Sequence, residues 1–254
     1  MIGLGLSIPE VALRRSGSLT PAQIAGTALV AAWDAENVAS LSLAVSAVAA
    51  WTDSKGGAIA TQDIIDSRPT WSATSFNGRP GIAFDGVDDF LNMTGVGSLP
   101  VGTAPSEIWA LVSQTSPASE ISVRTAFGYG GASTSGRLAG RTVASGVNRA
   151  TASATVAATK GVVDFTGIHV IRAIFTNSAV SVTLDGEPFQ ASGASAINTT
   201  SVRIRIGANT SATAGGFWLS LINSIFVINQ ADPTWNETVA SQFLLSLKRK
   251  GGLA

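Results

Sequence analysis

The chain has no cysteine and a single histidine. Without thiols there is no disulfide framework and no thiolate-bound zinc, and the sequence carries no mark of a redox compartment. One imidazole makes a histidine-rich metal site or a Ser-His-Asp arrangement hard to build. Charge is scarce too, with Asp, Glu, Lys and Arg at 13% of 254 residues against about 25% in an average globular domain. Sixteen basic side chains balance sixteen acidic ones, so a nucleic-acid partner held by a strong positive field is not expected. Long hydrophobic runs are missing. Residues 24–33 are apolar over too short a span, and residues 38–51 are interrupted by Ser40, Ser42 and Ser46, where about 20 residues would be needed to cross a bilayer. The opening MIGLGLSIPEVALRR places Arg14 and Arg15 after the apolar stretch, the reverse of a secretory signal. The expectation is a soluble chain with no membrane insertion.

What remains is a chain that is 45% hydrophobic with 27 glycines, too apolar for wholesale disorder. Its length suits one large domain, or at most two small ones. Residues 1–20 read as an arm, because Gly3, Gly5, Pro9 and Gly17 interrupt any helix. Such an arm packs either on its own domain or on a neighbour. Thr20-Pro21-Ala22-Gln23 has the form of a helix start, with Thr20 as cap and Gln23 three residues on.

From Leu29 onward the pattern turns to strands. EIWALVS at 107–113 suits a strand covered on both faces, and Asp85-Gly86 and Asp185-Gly186 mark turns between apolar runs. SVRIRIG at 201–207 sets Val202, Ile204 and Ile206 against Arg203 and Arg205, and FWLSLINSIFVIN at 217–229 reads as a central strand. The end is helical, with Val239, Phe243, Leu244 and Leu247 on one face, Lys248, Arg249 and Lys250 in the last turn and Gly251 as the stop. Many short strands and one terminal helix argue for a sandwich or jelly roll.

The succession AAWDAE (31–36), WTDSKGG (51–57), RPTW (68–71), NGRPGIAFDGVDDFL (77–91), IHVIRAIF, VTLDGE and a final amphipathic helix resembles the laminin G-like, concanavalin A-like lectin/glucanase jelly roll of phage and prophage virion proteins. The resemblance spans about residues 28–250. It implies an all-β, two-sheet antiparallel jelly-roll sandwich over residues 21–254, with a short amino-terminal arm and a carboxy-terminal helix. It further implies a non-enzymatic virion component on the head or tail surface of the particle, presenting a lectin-like domain. Its partners would be other virion proteins, other copies of itself in a homo-oligomer, and a host-surface glycan. Ile2, Leu4, Leu6 and Ile8 are then the anchoring residues of the arm, which would add a strand to a neighbour's sheet edge. The alternative is a carbohydrate-binding module of a tail fibre or a bacterial surface protein. A glycan hydrolase is a third reading, disfavoured because enzymes on that fold share Glu-x-Asp-x-x-Glu. Here Glu10, Glu36, Glu107, Glu120, Glu187 and Glu237 are scattered, with no Asp two residues on.

Candidate binding residues follow. Tyr129, in the glycine-rich FGYGGASTSG, and Trp71 are the aromatics expected to be exposed for stacking on a sugar, whereas Trp33, Trp51 and Trp109 fall in core-like runs. Asp53, Asp85, Asp88 and Asp89 offer hard oxygens for calcium, the one cofactor considered; the competing reading makes them turn formers bonding their own backbone. His169 has no acid close in sequence and reads as structural. Residues 121–163 carry Arg124, Arg137, Arg141, Arg149 and Lys160 without an acid, whereas residues 34–89 hold eight acids against three bases. The two segments either form opposed charged surfaces or interleave and cancel.

Overall fold

The computed structural model describes residues 19–114, 123–131, 136–144, 147–154, 157–161, 166–187, 190–192 and 197–253. Ile2, Leu4, Leu6 and Ile8 of the expected arm lie outside the described residues. The chain opens with α1 (Pro21–Ala25), where Thr20 and Gln23 form the capping box expected of them. Strands then follow one another: β1 (Leu29–Asp34), β2 (Leu41–Ala44), β3 (Ala47–Thr52), β4 (Ile59–Thr61), β5 (Thr70–Phe76), β6 (Arg79–Asp85), β7 (Leu91–Thr94) and β8 (Ser106–Gln114). The second half continues with β9 (Val123–Gly130), β10 (Gly136–Ala144), β11 (Val147–Ser153), β12 (Ala157–Gly161), β13 (Gly167–Phe175), β14 (Val180–Leu184), β15 (Gln190–Ser192), β16 (Arg203–Ile206) and β17 (Leu219–Asn229). The helix α2 (Glu237–Gly251) closes the described chain.

All seventeen strands belong to one hydrogen-bonded sheet. From β15 the ladder runs through β14, β13, β8, β17, β6, β5, β3, β4, β7, β16, β9, β10 and β11 to β12, with β1 beside β17 and β2 beside β3. The sheet folds over so that β11 and β12 come back against β14 and β15, and the main core fills the space enclosed. The expected two-sheet jelly-roll sandwich is therefore corrected to a continuous, nearly closed antiparallel sheet. The cause lies in β5, β3, β4 and β7. They carry the ladder round the bend through single residue pairs, Ala47 with Thr70 and Thr61 with Asn92, so the two layers are not separate sheets.

Local chemistry explains the regular parts. β8 is buried along its whole length: one face meets the enclosed core through Ile108, Ala110 and Val112, and the other meets α2 through Trp109 and Leu111. β17 pairs with β8 on one edge and with β6 and β1 on the other, the central place expected for that run. In the turn that follows β14, on the way to β15, Asp185 (φ 54°) and Gly186 (φ 84°) both take left-handed backbone, as a two-residue turn of that hand requires. Asn236 caps α2 by accepting from the N–H groups of Thr238 (3.0 Å) and Val239 (3.1 Å). The helix ends at Gly252 in the left-handed region, one residue beyond the expected stop. Trp109, Trp235 and Phe226 pack edge-on around Phe243 at 5.1–5.7 Å between ring centres, which seats α2 on the outside of the sheet.

Candidate functional site

Strand alternation divides β9–β12 into two faces. Ala126, Phe127, Ala139, Ala152 and Ala158 point into the core, whereas Leu138, Thr151, Ser153 and Thr159 line a cleft of about 270 Å³ on the other side. The loop 207–216 overhangs this cleft through Asn209, Thr210 and Ser211. The loop is pinned where Thr125 N–H donates to Gly216 O (2.8 Å), Asn209 N–H to Gly215 O (2.9 Å) and Trp218 N–H to Gly207 O (2.7 Å). The Thr210 hydroxyl donates across to Gly131 O.

At the edge of the cleft, β9 and β10 slip register between Ala139 and Gly140. The slip brings the strands so close that a Cβ on Gly140 would sit 2.1 Å from Arg124 O. Arg124 donates from Nη1 to Gly86 O (2.9 Å) and Phe217 O (2.8 Å), joining the cleft to the 85–89 turn. Thr151 is 4% exposed, and its hydroxyl has no hydrogen-bond partner among the described residues. A buried, unpaired hydroxyl is costly. It faces Thr159 directly across the β11–β12 ladder, and both residues line the cleft. The arrangement presents hydroxyl and amide groups beside methyl and leucine surface, with no aromatic ring among the lining residues.

The expected metal ligands fall in two places. Asp85, Asp88 and Asp89 bring carboxylate oxygens within 4.8 Å of one another. These oxygens serve the turn itself: Asp85 Oδ1 accepts from the N–H of Val87, Asp88 and Asp89, Asp89 Oδ2 accepts from Asp85 N–H, and Asp88 Oδ2 accepts from the Ser67 hydroxyl. Asp53 does not join them. It is buried beside β1, where Oδ1 accepts from Ala32 N–H (2.7 Å) and Lys55 N–H (2.9 Å) and Oδ2 from Gly56 N–H (2.7 Å).

Burial pushes the Asp89 carboxyl up to about 6, against the lowering effect of the Asp85 N–H and reinforced by the neighbouring charges of Asp85 and Asp88. A carboxyl raised on folding stabilises the fold while protonated, and loses that contribution as pH rises through its folded value. Asp89→Asn should therefore gain stability relative to the parent protein as pH goes from about 4 to about 6, with no relative change below that window. Urea unfolding at several pH values reads this difference, and parallel pH profiles would refute it.

Neither aromatic expected to be exposed is free for stacking. Tyr129 is fully buried, because Phe127–Gly130 of the stretch read as a glycine-rich loop belong to strand β9. A Cβ on Gly128 would strike Leu138 Cδ2 at 2.3 Å, so that glycine serves packing rather than looping. The Tyr129 hydroxyl lies 2.8 Å from Ser106 Oγ and 3.3 Å from Arg137 Nη1. Trp71 is half-buried against the core and donates to Ala35 O (3.1 Å). His169 does have an acid, with Nδ1 2.7 Å from Asp185 Oδ2 across the hairpin. The basic run forms no positive surface from Arg124, Arg137 and Arg141, all of which are buried; the side chains of Arg149 and Lys160 lie outside the described residues.

Sequence reasoning also missed a buried polar node. Glu107 is fully buried on β8, where its carboxylate accepts from Trp109 Nε1 (2.7 Å), Trp235 Nε1 (3.0 Å), Gln230 Nε2 (3.1 Å) and Arg172 Nε (2.9 Å) and Nη2 (2.8 Å). Arg172 also reaches Glu237 at the start of α2 (2.9 Å). Its guanidinium stands 4.9 Å from the centre of the Trp109 ring. An acid in an otherwise apolar strand was the available signal.

No protein-family model matches the chain, and no curated protein matches it. Solved structures do. A Trypanosoma rangeli sialidase in complex with sialic acid aligns with a TM-score of 0.59 at 15% identity, over 90% of this chain and 34% of that one. Domain 4 of AbnA, a GH43 extracellular arabinanase from Geobacillus stearothermophilus in complex with arabinotriose, aligns with a TM-score of 0.54 at 12% identity, over 86% and 98%. A GH54 α-L-arabinofuranosidase aligns with a TM-score of 0.62 at 11% identity, over 90% and 65%. The fold is shared with glycoside hydrolases.

This chain spans about a third of the length of the sialidases it matches. At these identities the likeness establishes the fold and assigns no residue a role. It overturns three expectations: a phage virion component, a module of a tail fibre or bacterial surface protein, and a chain outside enzymatic glycan chemistry. Among the solved structures with this fold are a sialidase, an arabinanase domain and an arabinofuranosidase, and none of the three is a virion part.

Proposed function

We propose that this chain works in glycan processing and that the cleft over β9–β12 holds an uncharged oligosaccharide. The observation that carries the reading is the buried Thr151 hydroxyl, which has no partner among the described residues and belongs to a cleft where threonine, serine and asparagine stand beside Val123, Arg124, Leu138 and Ala157. Sugar hydroxyls both donate and accept, so one of them would satisfy Thr151 once its side chain turns the enclosed hydroxyl toward the cleft, and would gain the hydrogen bond that the protein alone does not make. The methyl groups of the threonines, with Leu138 and Ala157, offer apolar surface to the C–H faces of a sugar ring. With no aromatic among the lining residues, affinity comes from hydroxyl pairing rather than ring stacking. The GH43 arabinanase domain, matched over nearly its whole length, is described with arabinotriose, and that supports an arabino-oligosaccharide as the first probe.

Titration with arabinotriose, followed by calorimetry and by amide NMR, tests the reading. Saturable binding is expected, with shifts confined to β9–β12 and the 207–216 loop. Thr151→Val should weaken binding about 3- to 10-fold while leaving the free protein as stable as before or more so, because it removes an unpaired buried hydroxyl. No binding of arabinotriose or xylotriose, or binding that Thr151→Val leaves unchanged, would overturn it.

A further inference from the structure

β16 carries Arg203 and Arg205 on one face, and both guanidiniums turn to the back of the loop that overhangs the Thr151 cleft. Arg205 donates from Nη1 to Asn209 O (2.8 Å) and Ser211 O (2.7 Å) and from Nε to Asn92 Oδ1 (3.2 Å). Its guanidinium stands 5.4 Å from the centre of the Phe90 ring. Arg203 donates from Nη1 to the same Ser211 O (2.9 Å) and to Ala212 O (3.2 Å). One carbonyl oxygen therefore bridges two cations, and every hydrogen-bond partner of the pair among the described residues is an uncharged oxygen. Like charges held this close without a counterion repel. Burial, with the charge of Arg203 added, pushes the Arg205 guanidinium down to about 10.

Arg205 is buried and engaged with the loop, so it supplies charge from behind. Arg203 is partly exposed. Its Nε and Nη2 have no partner among the described residues, and both stay in contact with solvent. The two bonds from Nη1 fix the guanidinium plane and leave the Nε–Nη2 edge as a free fork. Thr94, exposed and directly opposite Arg203 on β7, sets a hydroxyl on the same face. On β9 the opposite residue is Gly130, which has no side chain to cover the fork. Two parallel N–H groups match a planar carboxylate, and Thr94 offers it a third donor. An anion at this place also neutralises the pair. The loop turns the side chains of Asn209, Thr210 and Ser211 to the cleft and its carbonyls to the arginines, so one stretch of backbone separates the two places. We infer that Arg203, with Thr94, forms a subsite for the carboxylate of an acidic sugar, a uronic-acid unit of the processed glycan. The glycan rests on the reading of the cleft given above; the carboxylate does not.

NMR titration of the intact chain tests the assignment, read at the Arg203 Nε–H signal, with glucuronate as the probe, glucose as the neutral control and inorganic phosphate as the competing anion. Glucuronate is expected to shift the signal saturably and glucose to leave it in place. Arg203→Lys keeps the charge and loses the fork. It should weaken glucuronate binding about 10-fold, read at the Thr94 amide. Thr94→Val should weaken it less, and Thr151→Val should not alter it. A parent protein that binds glucuronate but not arabinotriose refutes the cleft reading and leaves the carboxylate subsite standing. The proposal is overturned if glucuronate gives no saturable shift, or if Arg203→Lys binds it like the parent. Phosphate binding more tightly than glucuronate also overturns it, since the fork then serves oxyanions at large.

Discussion

Replacing Glu107 with alanine is expected to destabilise the fold by about 3–5 kcal/mol, the usual consequence of removing one partner of a buried ion pair. Five donors converge on this carboxylate, from Trp109, Arg172, Gln230 and Trp235. Two of them are indole N–H groups with no route to water. Of the two acids that meet Arg172, the one left would be Glu237, whose side chain is 70% exposed and whose attraction is screened by solvent. The two acids therefore separate buried from exposed electrostatics at one guanidinium. Glu237→Ala should cost less than about 1 kcal/mol, and Glu107→Gln should fall between, since it keeps an acceptor and loses the charge. Denaturant unfolding of the three variants gives the order. Equal losses for Glu107→Ala and Glu237→Ala would show that the buried carboxylate does not hold α2 to the sheet.

Gly140→Ala has the second largest expected effect, and it reaches both stability and binding. The added methyl would meet Arg124 O at 2.1 Å and Thr125 Cα at 2.9 Å. Both are backbone atoms, so no rotamer change relieves the clash and β9 must move away from β10. Overpacking of this kind costs about 1–3 kcal/mol. Thr125 is also tied to the 207–216 loop through Gly216, so the overhang of the cleft moves with β9. Arabinotriose binding should fall more than in Thr151→Val, with amide shifts spreading into residues 207–216. A variant that binds as the parent does would mean that the register slip at Gly140 has no part in shaping the cleft.

Much of the local structure was legible because it depends on near neighbours. The Thr20 capping box, the Asp185-Gly186 turn, the two covered faces of 107–113 and the apolar face of α2 all arise from residues a few positions apart. What escaped depends on partners far along the chain. A single sheet rather than two follows from Thr61 meeting Asn92 and Ala47 meeting Thr70, pairs that no hydrophobic period announces. Tyr129 was misplaced because Gly128 and Gly130 read as loop residues. Gly128 is small so that the Leu138 side chain can pass, a reason visible only once β9 and β10 are side by side. The cleft had no sequence signal either, since its threonines and serines come from separate strands and a loop, and each looks like ordinary surface. His169 and Asp185 meet only because the hairpin turns between them.

The position of β17 bears on how the protein is made. It is the last strand among the described residues, yet it lies at the centre of the sheet, pairing with β1, β6 and β8. Translation at the usual pace takes roughly 10–40 s to proceed from β1 to the end of β17. Through that interval β1 lacks its partner β17, and the edges of β6 and β8 that β17 will cover stand open. A nascent chain in this state cannot acquire its centre piecemeal, and it meets other chains with unpaired strand edges exposed. Ribosome-bound fragments ending before Leu219 should therefore be protease-sensitive along their whole length, and the fold should lock only after Asn229 has left the exit tunnel.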